Sequence, residues 1–203
     1  ATKSAIAGMV YSAINKTQIS GGSAILEIEQ KNTTRIKHVG GVVAYFSIEN
    51  NSGRNSNKVS NVDATVKANQ LYVDYFGGVV GYAYHATIEN CSASGEFAHI
   101  NLNGNGRYLG GIVGYARACT ISYCVSTLDF QSKLTFTVAD HYVGSIAGYL
   151  YGISESDKII VYTDDEISDK KSKIEQASGG AVVTILGLYG NKTTNYVDII
   201  IGA

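Results

Sequence analysis

Self-similarity at a near-constant spacing is the feature that most constrains how this chain can fold. The segment YFGGVVGYAYHATIENC, from Tyr75 to Cys91, is identical at 10 of 17 positions to YLGGIVGYARACTISYC, from Tyr108 to Cys124. Partial copies are HVGGVVAYFSIEN from His38 and YVGSIAGYLYGIS from Tyr142. Repetition of this kind predicts supersecondary units that bury a continuous core by stacking on their neighbours.

Two degenerate copies extend the series, SAIAGMVYSAI from Ser4 and GGAVVTILGLYG from Gly179. The aligned first-glycine positions then give six units, which start near residues 4, 40, 77, 110, 144 and 179 and are 33–37 residues apart. The sequence therefore predicts one repeat domain that spans residues 1–203.

The units carry the pattern of β-strands. They are rich in Gly and β-branched residues, and the chain contains 23 Gly and no Pro, which fits a backbone committed to sheet ladders. Without helical spacing before residue 150, the pattern predicts an all-β, parallel β-solenoid, β-helix-like in form, in which equivalent residues lie about 4.8 Å apart in columns.

Two neighbouring columns are both apolar. One holds Val42, Val79, Ile112 and Ile146, and the next holds Val43, Val80, Val113 and Ala147. Because adjacent residues of a strand point to opposite faces, we expect both faces to be covered, with the longer loops as a second layer. The glycines beside them fit a close backbone approach at a corner.

One irregular, charged excursion interrupts the repeats at residues 153–177. We expect a short helix near Ile167–Gln176 in it. The run Asp164–Glu166 is interpreted as a solvated face or, alternatively, as a calcium site, although it has neither EF-hand nor GGxGxD spacing.

Aromatic residues recur at two repeat positions, and these are the candidate ligand-binding residues. The first position holds Tyr75, Tyr108 and Tyr142, with His38 in the earlier unit, and the second holds Tyr45, Tyr82, Tyr115 and Tyr149. Stacked rings on successive rungs stabilise a solenoid by roughly 0.5–1.5 kcal/mol per pair. A flat tyrosine strip could also stack on sugar rings, and the sequence leaves both interpretations open.

A polar column precedes the first aromatic position, with Lys37, Asp74, Arg107 and His141. It is interpreted as a ladder of alternating charge, or alternatively as acid/base groups that act on a glycan. Glycosidases need two carboxylates at a defined separation, and no repeat position supplies them. The histidines lack metal-binding spacing, so we assign no catalytic residue, metal or cofactor.

The cysteines do not form a disulfide framework. Cys91 and Cys124 occupy the same repeat position, so we expect them on adjacent rungs, where parallel side-chain directions disfavour a bridge. The sequence predicts free, buried thiols at Cys91, Cys119 and Cys124, with a single bridge as the alternative.

The units that begin at Tyr75 and Tyr108 resemble the GLUG repeat family. The resemblance is carried by an aliphatic-Gly-Gly-aliphatic-Val-Gly stretch, followed by Thr-Ile and a polar residue or Cys. It implies a bacterial secreted or surface protein of the adhesin or haemagglutinin type, or a non-catalytic arm of a surface protease. The family supplies no catalytic residues.

The expected function is that of a non-enzymatic extracellular or cell-surface module for adhesion or structural scaffolding. Its expected partners are surface glycans or other surface proteins. With a net charge of −1 and no apolar run long enough for a transmembrane helix, the chain offers no basis for nucleic-acid binding or membrane insertion. The alternative is a carbohydrate-binding or polysaccharide-cleaving β-helix.

The two end units suggest self-assembly. They lack the Pro, charged cluster or amphipathic helix that would cap a solenoid. We therefore expect either that further repeats continue beyond them or that the strand edges pair head-to-tail with another copy, as a homo-oligomer or filament.

Overall fold

A computed structural model describes residues 4–48, 57–101, 107–128, 130, 134–135, 141–151, 159–163, 183–189 and 197–201. These residues form β-strands and the bends that join them, and this part of the chain contains no helix. Every strand pair is parallel, and each joins one repeat to the next. The predicted all-β solenoid is therefore confirmed.

The described residues of the solenoid form 22 strands. In chain order they are β1 Ala5–Ala7, β2 Val10–Ile14, β3 Gln18–Ser20, β4 Ser23–Ile28, β5 Ile36–Gly40, β6 Val43–Ser47, β7 Asn57–Ser60, β8 Asp63–Ala68, β9 Leu71–Gly77, β10 Val80–Tyr84, β11 Ala86–Glu89, β12 Ser92–Phe97, β13 Ile100–Asn101, β14 Arg107–Gly110, β15 Val113–Arg117, β16 Thr120–Ser122, β17 Val125–Ser126, β18 Leu134–Thr135, β19 His141–Tyr151, β20 Ile159–Thr163, β21 Val183–Tyr189 and β22 Val197–Ile201.

The strands form three sheets, one for each face of the coil. The first sheet has 12 strands and contains both halves of each glycine-marked segment, such as β9 and β10. The second sheet has the order β22-β20-β16-β11-β7-β3, and the third has the order β17-β12-β8-β4. Four turns thus have strands on all three faces. Among the described residues, the strands of two further units, β19–β20 and β21–β22, belong to the first two sheets, so the six predicted repeats correspond to about four complete turns in this part of the chain.

The predicted starts of the first and last units are wrong. Gly40 is paired with Ala7 and not with Ser4, and Gly144 is paired with Thr184 and not with Gly179. In the first unit the deciding residue is Gly8, because a Cβ there would lie 2.2 Å from the carbonyl oxygen of Gly41. Close contact between the two backbones therefore selects a register that the degenerate sequence does not reveal.

The two predicted apolar columns are confirmed. Val43, Val80, Val113 and Ala147 are in register, and both columns are at most 2% exposed. A bend in each strand explains why neighbouring residues are both buried. The amides of Val79 and Val80 both donate to the carbonyl of Ile112, at 2.9 Å each, as in a β-bulge, which interrupts the alternation of side chains. A second layer of loops is not needed to cover these columns.

Glycine is required on the inside of this bend. A Cβ at Gly77 would lie 1.8 Å from the carbonyl oxygen of Val80, and one at Gly110 would lie 1.9 Å from that of Val113. No side chain fits this space, so the recurring glycine marks the bend in each central turn. The close approach expected at a corner is confirmed.

The corner between the second and third sheets uses the left-handed backbone region. The residues that follow β3, β7, β11 and β16 all have a positive φ: Gly21 (78°), Asn61 (55°), Asn90 (49°) and Tyr123 (52°). Gly and Asn adopt this conformation at low cost, whereas Tyr123 is strained by it. The turn geometry is thus kept from rung to rung even where the residue does not favour it.

The predicted irregular excursion at 153–177 contains a regular strand. Ile159–Thr163 forms β20, which lies between β16 and β22 in the second sheet. The apolar residues of this strand pair with their neighbours as the short strands of the earlier units do, although charged residues surround them in the sequence. The predicted calcium site at Asp164–Glu166 and the predicted helix at Ile167–Gln176 lie outside the described residues.

We expect V113D to unfold the central turns, because it places an unpaired charge in a fully buried column. A loss of roughly 3–5 kcal/mol in the free energy of unfolding is expected from denaturant titration. The matched control is I25D, at a side chain that is 68% exposed on the third sheet. Equal destabilisation by the two variants would contradict the described packing.

We expect Y123N to stabilise the fold by about 0.5–1 kcal/mol, because Asn tolerates the left-handed conformation that Tyr123 adopts. The control is Y84N, in a strand, which should be destabilising because Asn is a poor strand residue. Thermal unfolding measures both variants, and a lower melting temperature for Y123N would argue against corner strain.

Candidate functional site

The candidate site is a double column of aromatic side chains on the outer side of the first sheet, which we call the tyrosine ladder. One column contains His38, Tyr75 and Tyr108, and the other contains Tyr45, Tyr82, Tyr115 and Tyr149. The parallel register places these residues above one another on β5, β9 and β14 and on β6, β10, β15 and β19.

Rings within a column are stacked nearly face to face. The ring centroids are 5.0 Å apart for Tyr45–Tyr82, 5.2 Å for Tyr82–Tyr115 and 4.9 Å for Tyr115–Tyr149. In the other column the distances are 5.1 Å for His38–Tyr75 and 5.2 Å for Tyr75–Tyr108. These spacings are close to the ~4.8 Å separation of neighbouring strands, so the backbone register sets the stacking.

The two columns also pack against each other. The Tyr75 ring meets those of Tyr82 and Tyr115 edge to face, at 6.1 and 5.9 Å, and Tyr108 meets Tyr115 at 5.5 Å. The bend at the glycines turns the two half-strands toward each other on this side, which makes the contacts possible. Edge-to-face and offset-stacked pairs are both favourable arrangements of aromatic rings. The stabilising interpretation of the columns is therefore supported by geometry.

The ladder is half-buried, which shifts its ionisation. Burial raises the pKa of Tyr82 to about 12, with a further contribution from neighbouring Tyr45. Burial also raises the pKa of Tyr75 and of Tyr115. The hydroxyl groups therefore stay protonated at neutral pH and offer a row of neutral donors and acceptors along an apolar strip.

Five of the six predicted tyrosines lie together on one surface, and the structure describes their side chains. Tyr142 is aligned with Tyr108 through its backbone, but its side chain is outside the described residues, as is that of His141. The other five candidates, Tyr75, Tyr108, Tyr82, Tyr115 and Tyr149, share one surface.

The sequence interpretation missed a third column next to the ladder. Arg117 lies between Tyr84 and Tyr151 in register, and its guanidinium carbon is 5.2 Å and 5.4 Å from the centroids of their rings. Cation–π contacts of this kind extend the flat surface by one more position. The signal was available, since each of these residues comes two positions after a ladder tyrosine and so shares its face of the strand.

The ladder ends in a groove at the first turn. Ala5 is in register with His38, and Ser12 is in register with Tyr45, so small side chains take the place of rings there. The groove has a volume of about 540 Å³. Its lining contains the following residues: Ala5, Tyr11, Ser12, Ile14, Lys37, His38, Tyr45, Ser47, Ile48, Tyr75 and Tyr82.

The polar column contains the expected pairing of opposite charges. Arg107 Nη1 is 2.9 Å from Asp74 Oδ1, and Arg35 Nε is 3.6 Å from the same oxygen. Arg35, which precedes the predicted column, was not anticipated as a partner of Asp74. Asp74 is thus part of an ion pair with two guanidinium groups, as expected for a ladder of alternating charge.

The three cysteines are free and buried, as predicted. Cys91 and Cys124 follow the paired strands β11 and β16, and their thiols interact with each other. Each thiol also donates to a backbone carbonyl, that of Glu89 for Cys91 and that of Ser122 for Cys124. The interaction between the two thiols raises the pKa of Cys124 and lowers that of Cys91, whereas burial raises the pKa of Cys119 to about 12. Within the described residues, no group of three His, Cys, Asp or Glu side chains could hold a metal ion.

Comparison with known proteins assigns a motif to the central repeat. Residues 74–98, which run from the end of β9 through β12, match the family model of the GLUG motif. Comparison with curated proteins and with solved structures gives no significant match to the chain. In the part of the chain that the structure describes, no helix is long and apolar enough to cross a membrane.

The raised tyrosine pKa values predict a loss of stability in alkali. Unfolded tyrosines ionise near pH 10, whereas Tyr82 in the folded protein ionises at about 12. The unfolded state therefore releases protons first, so the contribution is fully present below pH 10 and is lost as the pH rises toward 12. Ultraviolet titration of tyrosinate, with the denatured chain as control, should show a late-titrating class that Y82F reduces. Identical titration curves for the folded and denatured chains would contradict this prediction.

Proposed function

We propose that this chain, a β-solenoid repeat module with a GLUG motif, is a non-enzymatic extracellular or cell-surface module for adhesion or structural scaffolding. The observation that carries the proposal is the tyrosine ladder, which repeats one aromatic surface along consecutive turns. A repeating surface suits many weak contacts with a repeating partner, since linked sites gain in avidity. Surface glycans or other surface proteins are the proposed partners.

The state of Asp74 supports a non-enzymatic role over polysaccharide cleavage. Its carboxylate is held by Arg107 and Arg35, which favours a structural ion pair. Cleavage of a glycosidic bond requires a protonated acid and a second carboxylate at a defined distance. Burial raises the pKa of the ladder tyrosines Tyr75, Tyr82 and Tyr115, which makes these phenols unsuited to proton transfer near neutral pH.

Glycan binding by the ladder is the second candidate function, and one observation favours it. The ladder tyrosines remain partly exposed although each is stacked, so part of the aromatic surface faces solvent. The exposed edges of these rings place apolar CH groups beside hydroxyl groups, which suits the CH groups and hydroxyls of a sugar.

Self-assembly through the ends of the solenoid is part of the proposal. The first-turn strands β1–β4 pair only on one side among the described residues, which leaves the other edge as a template for a further strand. Several large apolar side chains of this turn are exposed: Met9, Tyr11, Ile14 and Ile25. Head-to-tail stacking of a second copy would pair this edge and cover part of the apolar surface.

Retention on surfaces tests the adhesive role. Beads coated with the chain should bind to arrayed glycans or cell-surface proteins, and Y115L should weaken retention between about two- and tenfold, because the exposed edge of an aromatic ring is lost. Y115F keeps the ring and should retain binding. The control Y123L removes an exposed tyrosine outside the ladder. Retention that is unchanged in Y115L, or reduced equally in Y123L, would reject the ladder as the adhesive surface.

Sedimentation velocity with electron microscopy tests assembly. We expect oligomers that grow with concentration, and we expect M9K to suppress them because it places charge on the exposed edge. Y123K, at an exposed side chain outside the first turn, is the matched control and should assemble normally. Particles that stay monomeric at high concentration would exclude assembly through this edge.

A further inference from the structure

The first turn breaks the aromatic pattern of the ladder while keeping its backbone register. Ala5 is in register with His38 and Ser12 with Tyr45, so two adjacent ring positions are replaced by small side chains. His38 is stacked on Tyr75, and Tyr45 is stacked on Tyr82, each on the side away from the first turn. The side that faces the first turn has no ladder ring above it.

The space left by the missing rings is a groove and not a collapsed contact. Its volume of about 540 Å³ is within the range of roughly 300–1,000 Å³ that is usual for small-molecule sites. His38 and Tyr45 contribute aromatic surface, and Ile14 and Ile48 contribute apolar surface. Lys37 and Ser12 contribute an ammonium and a hydroxyl group.

We propose that this groove binds one hexopyranose ring of a glycan, in the position that an aromatic ring occupies in the later turns. The inference rests on glycan binding by the ladder, the second candidate function, and assigns that binding to the end of the ladder. A ring stacked about 5 Å beyond Tyr45 continues the spacing of the column. The site is formed before binding, since the paired strands β2 and β6 hold Ser12 and Tyr45 in register.

The mixture of groups in the groove selects a sugar over a purely apolar ligand. A pyranose presents an apolar CH face to an aromatic ring and hydroxyl groups around its edge. The ammonium of Lys37 and the hydroxyls of Ser12 and Tyr45 offer hydrogen bonds to such an edge. In the middle of the ladder, by contrast, both faces of Tyr82 are covered by Tyr45 and Tyr115, so no ring can insert there.

The test uses an array of neutral and carboxylated hexose oligosaccharides, followed by titration of the best-bound oligosaccharide. We expect S12Y to raise the dissociation constant at least tenfold, because the new ring fills the groove. The same variant extends the Tyr45 column, so its melting temperature should be equal to or above that of the original chain. S23Y, on the exposed third sheet, is the control and should bind normally.

A second measurement uses the unaltered chain, so its result does not depend on whether a variant folds. Intermolecular nuclear Overhauser effects, measured by NMR on the assigned, unaltered chain, should connect sugar ring protons with the rings of His38 and Tyr45. Binding that survives in S12Y but is lost in Y115L would place the sugar along the ladder. That result would overturn the proposed groove site but would leave glycan binding by the ladder intact. An array without any bound sugar would overturn both, whereas adhesion to surface proteins would be unaffected.

Discussion

The parallel hydrogen-bond ladder between successive turns is the constraint on which the rest of this structure depends. Each central turn pairs with the next one residue for one residue, so equivalent positions lie in columns about 4.8 Å apart. No turn could bury its apolar side alone, because a core exists only where several turns are stacked. The backbone register therefore governs the packing, and the side chains have to suit their columns.

Glycine at the bend is what permits this register. The backbone of one turn passes so close to its own carbonyl oxygens that a Cβ at Gly77 or Gly110 would overlap them. At the same bend, two successive amides donate to one carbonyl, and the two neighbouring apolar columns are both buried. The bend also turns the two halves of the strand toward each other. The tyrosine ladder is a consequence, since its two columns meet edge to face across that bend.

Much of the architecture could be predicted because the repeats show which residues become neighbours in a column, in addition to which residue types are present. Identical spacing placed Val80 beside Val113, Tyr82 beside Tyr115 and Cys91 near Cys124 without any knowledge of the fold. The end units were misplaced where the glycine pair is absent or degenerate, as at Ser4, because the register there depends on one close backbone contact. Charge misled the interpretation of 153–177, where the short apolar run Ile159–Thr163 pairs as a strand.

The amino-acid sequence by itself determined the class of fold, the columns and the residues of the ladder, because these follow from periodicity and from what a stacked strand can bury. The tertiary structure decided what periodicity does not encode. It showed that Arg35 joins Arg107 at Asp74, that Arg117 lies between two tyrosine rings, and that Ala5 and Ser12 leave a groove above His38 and Tyr45. These features depend on the bend between half-strands and on the exact register of the first turn, which backbone contacts set in three dimensions.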